Sequence, residues 1–239
     1  MACLICGETR TVRSHLLPKA LTRDMAEGRK HVITGSRHHS GAKPSQGGKF
    51  SDNILCEKHE GITSSFDTYG VRFVREVNRL FHANQNNNSV EVPNPEPIKL
   101  LRFVLSCIWR EKAADQNEGL ESLGPYRQPL ENTVFHGADA AWPLIVSRDR
   151  FMVRDHQIDA FGVHPYRNRF YDRNTWMFTA CSVTFFQIID KRGLKELPDW
   201  VRADRANPVA VLMSDPMQIH KVGPLAPILR NMSRRGQTP

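Results

Sequence analysis

Two short pairs of soft ligands, set fifty residues apart, constrain this chain more than any other feature: Cys3-Leu4-Ile5-Cys6 and Cys56-Glu57-Lys58-His59. A two-residue spacer puts both ligands of a pair on one tight turn, where they reach a common ion at about 2.0–2.3 Å. Two such turns make a closed, four-ligand site of the structural kind, with Cys3, Cys6, Cys56 and His59 as ligands and zinc as the expected ion. The competing view, reduced cysteines packed in a core, has little support, because Cys3 and Cys6 flank only two apolar residues. One ion held in this way would fasten the segment carrying His15 to the segment carrying Asn53. The first sixty or so residues are poor in apolar periodicity, so a module there depends on metal for its order.

A chain of 239 residues with 40% apolar side chains can bury a real core. It has no run of eighteen apolar residues, so no membrane span is expected. The opening residues run straight into Gly7-Glu8-Thr9-Arg10 without the basic-then-apolar pattern of a secretory leader. Five cysteines, three of them in ligand pairs, argue against a disulfide framework and for a reducing, cytoplasmic setting. Cys107 and Cys181 lie in apolar stretches and read as buried hydrophobes. The net charge of +8 is unevenly placed: from Arg10 to Phe50 there are nine Lys or Arg residues against Asp24 and Glu27. A positive field beside the proposed metal site attracts polyanions, and nucleic acid, DNA foremost, is the expected partner. The plain alternative is a solvated basic face.

The apolar pattern changes twice along the chain. Pro18 to Met25 reads as a short helix with proline at its start, and His31 to Lys49 as a loop or imperfect hairpin containing the His38-His39 pair. From Ile62 to Phe81 apolar residues recur at three- and four-residue steps, an amphipathic helix. The Asn84 to Asn88 run and Pro93, Pro95 and Pro97 mark an extended linker. A second helix begins near Pro97, with Leu100, Leu101, Val104, Leu105, Ile108 and Trp109 as its stripe, and fades in the charged stretch from Arg110. Beyond it, Trp142 to Val146, Phe151 to Val153, Met177 to Ile189 and Val209 to Met213 are β-branched or aromatic runs. Met177 to Ile189 reads as one buried strand, and the arginine-rich tail from Arg230 as frayed. The expected class is α+β: a zinc-stapled module with its trailing helix over residues 1–92, then an α+β part over 93–239 with a β-rich end.

Three residues near the proposed ion have catalytic chemistry. A histidine such as His15 titrates near neutrality and can take a proton from water attacking a phosphodiester. The side-chain carbonyl of Asn53 could hold that imidazole in the useful tautomer. Glu60, next to His59, could hold a second cation, Mg²⁺ or Mn²⁺, which prefers carboxylate and water and stabilises charge building on a phosphate. The order CxxC, Ser14-His15-Leu16-Leu17-Pro18, Asn53-Ile54-Leu55-Cys56, His59-Glu60 resembles the HNH endonucleases over the first sixty or so residues. That resemblance implies a ββα-metal, treble-clef-like core, a structural zinc, His15 as general base, Asn53 as the middle motif residue and metal-dependent cleavage of nucleic acid. Two positions depart from the family pattern: Ser14 stands where an acidic residue or histidine usually helps hold the catalytic cation, and Glu60 stands where His or Asn is usual. The departure at Ser14 keeps open a zinc module that binds nucleic acid or a protein partner without catalysis. A function seated in the C-terminal two-thirds is also open. Trp109-Arg110 and Tyr166 to Arg173 combine basic and aromatic residues, a mixture suited either to packing or to contact with bases.

Overall fold

The first strand, β1 (Val12–His15), runs into Pro18 and then α1 (Lys19–Ala26). Pro18 accepts a bond from the Thr22 amide, and α1 buries Leu21, Thr22 and Met25. The chain continues through β2 (Val32–Gly35), β3 (Lys43–Ser45), β4 (Phe50–Leu55), α2 (Glu57–Ala83), β5 (Ser89–Val92), α3 (Pro97–Asn117) and α4 (Arg127–Phe135). The remaining strands are β6 (Leu144–Asp149), β7 (Met152–Val153), β8 (His156–Gln157), β9 (Gly162–Phe170), β10 (Arg173–Ala180), β11 (Val183–Ile188) and β12 (Val209–Ser214). The computed structural model describes residues 2–26, 32–35, 43–45, 47–117, 123–139, 142–150, 152–153, 156–157, 161–192 and 197–215. His38, His39 and the tail from Arg230 lie outside the described residues.

The class is α+β. Strands β1 and β4 form a small antiparallel ladder, with His15 opposite Phe50, and α2 follows β4 after Cys56 alone. A second, eight-stranded mixed sheet has the order β3-β2-β9-β10-β11-β6-β12-β5. It therefore takes strands from both sides of position 93. Helices α2 and α3 cover one face, where Phe73 meets the ring of Phe185 and Phe103 meets those of Phe178 and Phe185. Strands β10 and β11 are buried on their other face as well, through Met177, Phe186 and Ile188. Burial on both faces removes the alternation that marks a half-exposed strand.

The two long helices approach closely at Gly70 of α2. A Cβ built there would stand 2.4 Å from ring carbons of Phe103. Phe103 is fully buried against Phe178 and Phe185 and has nowhere to go. Gly70→Ala is therefore expected to destabilise by about 1–3 kcal/mol through overpacking, despite alanine's better helix propensity. A denaturant midpoint equal to or above that of the wild type would contradict this packing.

Several expectations are corrected. The run Met177 to Ile189 is two strands and not one: Cys181 and Ser182, at φ +50° and +61°, make a two-residue turn between β10 and β11. That turn type favours Asn-Gly, so a Cys-Ser pair gives little sign of it. The stretch between α2 and α3 is not wholly linker, because Ser89–Val92 pairs with β12 and buries Val90 and Val92. Helix α3 does not fade at Arg110. It continues to Asn117, and Arg110, Glu111 and Lys112 are all buried. Each has a local reason: Arg110 forks onto Asp67, Glu111 bonds Lys49 and His164, and the Lys112 ammonium lies 5.1 Å from the centre of the Trp176 ring. With His164 and Lys49 outweighing its burial, Glu111 is held down to about 2. Cys107 and Cys181 are buried, and burial pushes the Cys107 thiol up to about 12.

Candidate metal centre and the adjoining cleft

The turn carrying Cys3 and Cys6 is closed by the Gly7 amide bonding the Cys3 carbonyl, with Gly7 at φ +78°. Two further bonds fix its position: the Cys3 amide to the Glu8 carbonyl, and the Leu4 amide to Ile54 of β4. The second pair starts at the end of the same strand. Cys56 caps α2 in an extended conformation, and His59 lies in the first helical turn. The β1–β4 ladder and the α2 N-terminus thus bring both pairs together.

The ligand atoms converge. Cys3 Sγ is 3.6 Å from His59 Nδ1, Cys56 Sγ is 3.2 Å from the same nitrogen, and Cys6 Sγ is 3.8 Å from Cys56 Sγ. All four atoms lie within 4.8 Å of one another. Metal–ligand bonds of the usual zinc lengths give a tetrahedron with edges of about 3.6–3.8 Å. The cluster therefore has the composition and size of a site that could hold a metal ion such as zinc. Burial opposes ionisation of Cys3, but the backbone groups of Ile5, Cys6 and Cys56 outweigh it and hold the thiol below its ordinary value. Burial, with Lys58 and His136, lowers His59 and favours the neutral imidazole that a metal requires. The His59 ring also stands edge-on to Phe135, at 5.7 Å, which fixes its plane.

Beside the cluster, a cleft of about 360 Å³ opens between the end of β1 and the exposed side of α2. His15 and Glu60 both line it, together with Lys19, Ser64, Asp67 and Arg72. Glu60 is placed by the helix turn that begins at Cys56, and its Oε2 accepts a 2.7 Å bond from the Ser14 hydroxyl. Burial raises the Glu60 carboxyl, opposed by that bond and by the Arg110 guanidinium. Burial lowers His15, helped by Lys19, Arg110 and Arg13, so the imidazole is uncharged at neutral pH. Beneath the cleft the fully buried Arg110 donates to both oxygens of Asp67, at 2.7 and 2.8 Å.

No protein-family model, curated protein or solved structure matches the chain.

The likeness to HNH enzymes accordingly rests on the motif residues alone. Of the sites expected from sequence, the four metal ligands share one cluster, and His15 and Glu60 share one cleft. Asn53 is elsewhere: it is exposed on β4, three residues on from Phe50, the partner of His15, and does not line the cleft. The motif does not name Asp67, though it carries a signal: it follows Glu60 by seven residues, two helical turns on the same face. Of the two outcomes open for Trp109-Arg110, packing or contact with bases, both side chains are buried and packed; the pairing of Arg110 with Asp67 has no mark in the sequence.

Proposed function

We propose that this chain is a zinc-stapled nuclease of HNH-like type that hydrolyses phosphodiester bonds in nucleic acid. The observation that carries the reading is the meeting of His15 and Glu60 in one cleft, on a β1–β4–α2 unit fastened by the Cys3, Cys6, Cys56 and His59 cluster. His15 acts as the general base, because an imidazole whose proton affinity is held down is ready to accept a proton from water at neutral pH. Its ring is set by the β1 backbone and by Phe50, 6.2 Å away; Asn53 has no part in this version of the site. Of the two carboxylates lining the cleft, Asp67 is held by Arg110, so Glu60 is the one offered to Mg²⁺ or Mn²⁺; Ser14 orients it and the Arg110 charge favours its ionised form. Such an ion, when bound, supplies charge neutralisation on the phosphate and leaving oxygen. Lys19 and Arg72 at the rim suit the approach of phosphates.

Plasmid DNA and an RNA transcript incubated with the protein in Mg²⁺ or Mn²⁺ test the reading. Wild type is expected to cleave, and His15→Ala to lose about 10²–10⁴-fold in rate. The lowered His15 also places the acid limb of the pH–rate profile below pH 6.5, the ordinary histidine value. Activity rises through that limb as the base loses its proton, and a limb at or above 6.5 would remove His15 from the role. Equal cleavage by His15→Ala would do the same.

One observation favours a second reading, a non-catalytic module. The Ser14 hydroxyl already occupies one Glu60 oxygen and the Arg110 charge already balances the carboxylate from a distance, leaving it less to give to a cation. In that case wild type and His15→Ala bind nucleic acid alike and neither cleaves it.

A further inference from the structure

Far along the chain from the cleft, the β9–β10 hairpin ends in a group of cationic side chains around one exposed ring. Its last pair with β11 is Thr175 opposite Ile188, so the hairpin tip runs on beyond the edge of that ladder. Tyr171 stands in the turn and is 68% exposed, although its neighbour Phe170 packs inward against Phe186. Tyr171 and Asp172 both take left-handed backbone, at φ +47° and +54°. Asparagine or glycine suits such a turn better than tyrosine; the ring meets Phe170 edge-on at 4.8 Å but leaves its outer surface to solvent.

The surroundings are basic. Arg167 and Arg169 are exposed on the same side of β9, about 7 Å apart along the strand. Arg173 follows the turn, and Lys191 and Arg192 leave β11 beside it. Among the described residues of the hairpin tip and the end of β11, two acids stand against these five cations. Asp190 is spent on Arg192 and on the amides of Asn174 and Arg192, which hold it well below the usual carboxylate range; Asp172 is the other. Among the described residues Arg169 and Lys191 have no acidic partner.

We propose that this hairpin tip is a second nucleic-acid contact, which grips a single strand by stacking one base on Tyr171 and pairing the flanking phosphates with Arg167 and Arg169. An exposed ring at the end of a strand that carries exposed guanidinium groups suits a chain that alternates π-faces with anions, because every base offers a face for stacking. An acidic protein or a lipid surface would also answer the charge and could take a tyrosine, but neither repeats flat faces and anions in the alternation that one ring and two arginines on a strand match. The inference takes its ligand class from the function proposed above, yet it concerns binding and not hydrolysis.

Fluorescence anisotropy on the full-length protein, with labelled 20-nucleotide single-stranded DNA and RNA and no added Mg²⁺ or Mn²⁺, reads it directly. Arg167→Gln/Arg169→Gln is expected to weaken binding about tenfold and to reduce the salt slope by about 1.4, the share of two phosphates on a single strand. Tyr171→Asn suits the turn, so it should fold at least as well as wild type while binding about tenfold more weakly; Tyr171→Phe should bind normally. Wild-type affinity in Tyr171→Asn and in the arginine pair overturns the inference, whether or not the protein cleaves. So does a loss of binding to phosphatidylserine vesicles or to an acidic peptide in these variants with nucleic-acid binding unchanged. Loss of single-strand binding in a protein that never cleaves upholds the hairpin and sinks only the nuclease.

Discussion

A Cys56→Ser chain is expected to lose its metal and to melt far below the wild type. Cys56 is both a ligand of the cluster and the residue that joins β4 to α2. A serine hydroxyl keeps the shape of the cap but not the soft thiolate. Structural zinc in small modules contributes about 10–16 kcal/mol of apparent binding energy, so losing even a third of it is about 4 kcal/mol. In a chain of this size that lowers Tm by about 8–16 °C. Elemental analysis should return about one zinc per wild-type chain and much less for the variant. Proteolysis should open the variant near the Cys3–Cys6 turn, which would keep its Gly7–Cys3 closure and its bonds to Glu8 and Ile54 but not the cluster. A wild-type protein free of zinc, or a variant that melts with it, would take away the structural role given to the cluster.

The second large effect belongs to Asp67. Its side chain is 17% exposed, while the Arg110 guanidinium it holds is completely shielded from water. Asp67→Ala leaves that guanidinium with the Ser106 carbonyl at 3.4 Å and the Cys107 sulfur at 3.5 Å as its remaining partners. Stranding a buried charge costs about 3–5 kcal/mol. The double variant Asp67→Ala/Arg110→Met removes both charges and should recover most of the loss, because apolar replacement of a buried pair is often neutral or better. Urea unfolding of the four proteins gives the coupling energy. Additive losses would mean that the pair is not the buried unit described. The same cycle bears on the cleft, since Arg110 helps to set both Glu60 and His15.

The sequence exposed those features whose physics is local. Two ligand pairs on tight turns, a proline before α1, the three- and four-residue step of α2 and the apolar run of β12 all state their structure within a few residues. What it concealed depends on partners far away. Arg110, Glu111 and Lys112 look like a solvated end of α3 until Asp67, His164, Lys49 and Trp176 arrive from four other segments to neutralise or cover them. The Cys181–Ser182 turn hides for a similar reason. Burial on both faces removes the alternation of β10 and β11, and neither turn residue is one that left-handed backbone selects. The candidate site divides along the same line. Its metal ligands were legible from spacing and His15 from its motif, but the separation of Asn53 from the cleft follows from the register of β1 on β4, with His15 opposite Phe50.

The strand order of the large sheet also dictates when it can be completed. Strand β2 waits for β9, emerging some 130 residues later, and β5 waits for β12, the last described strand. Contacts so remote in sequence slow folding, because a long loop must close before any of them gains. A nascent chain leaving the ribosome therefore displays the apolar flanks of α2 and α3 until β10 and β11 emerge. The Cys3, Cys6, Cys56 and His59 cluster can assemble as soon as His59 is free, giving the growing polypeptide an early ordered end to which the later strands return.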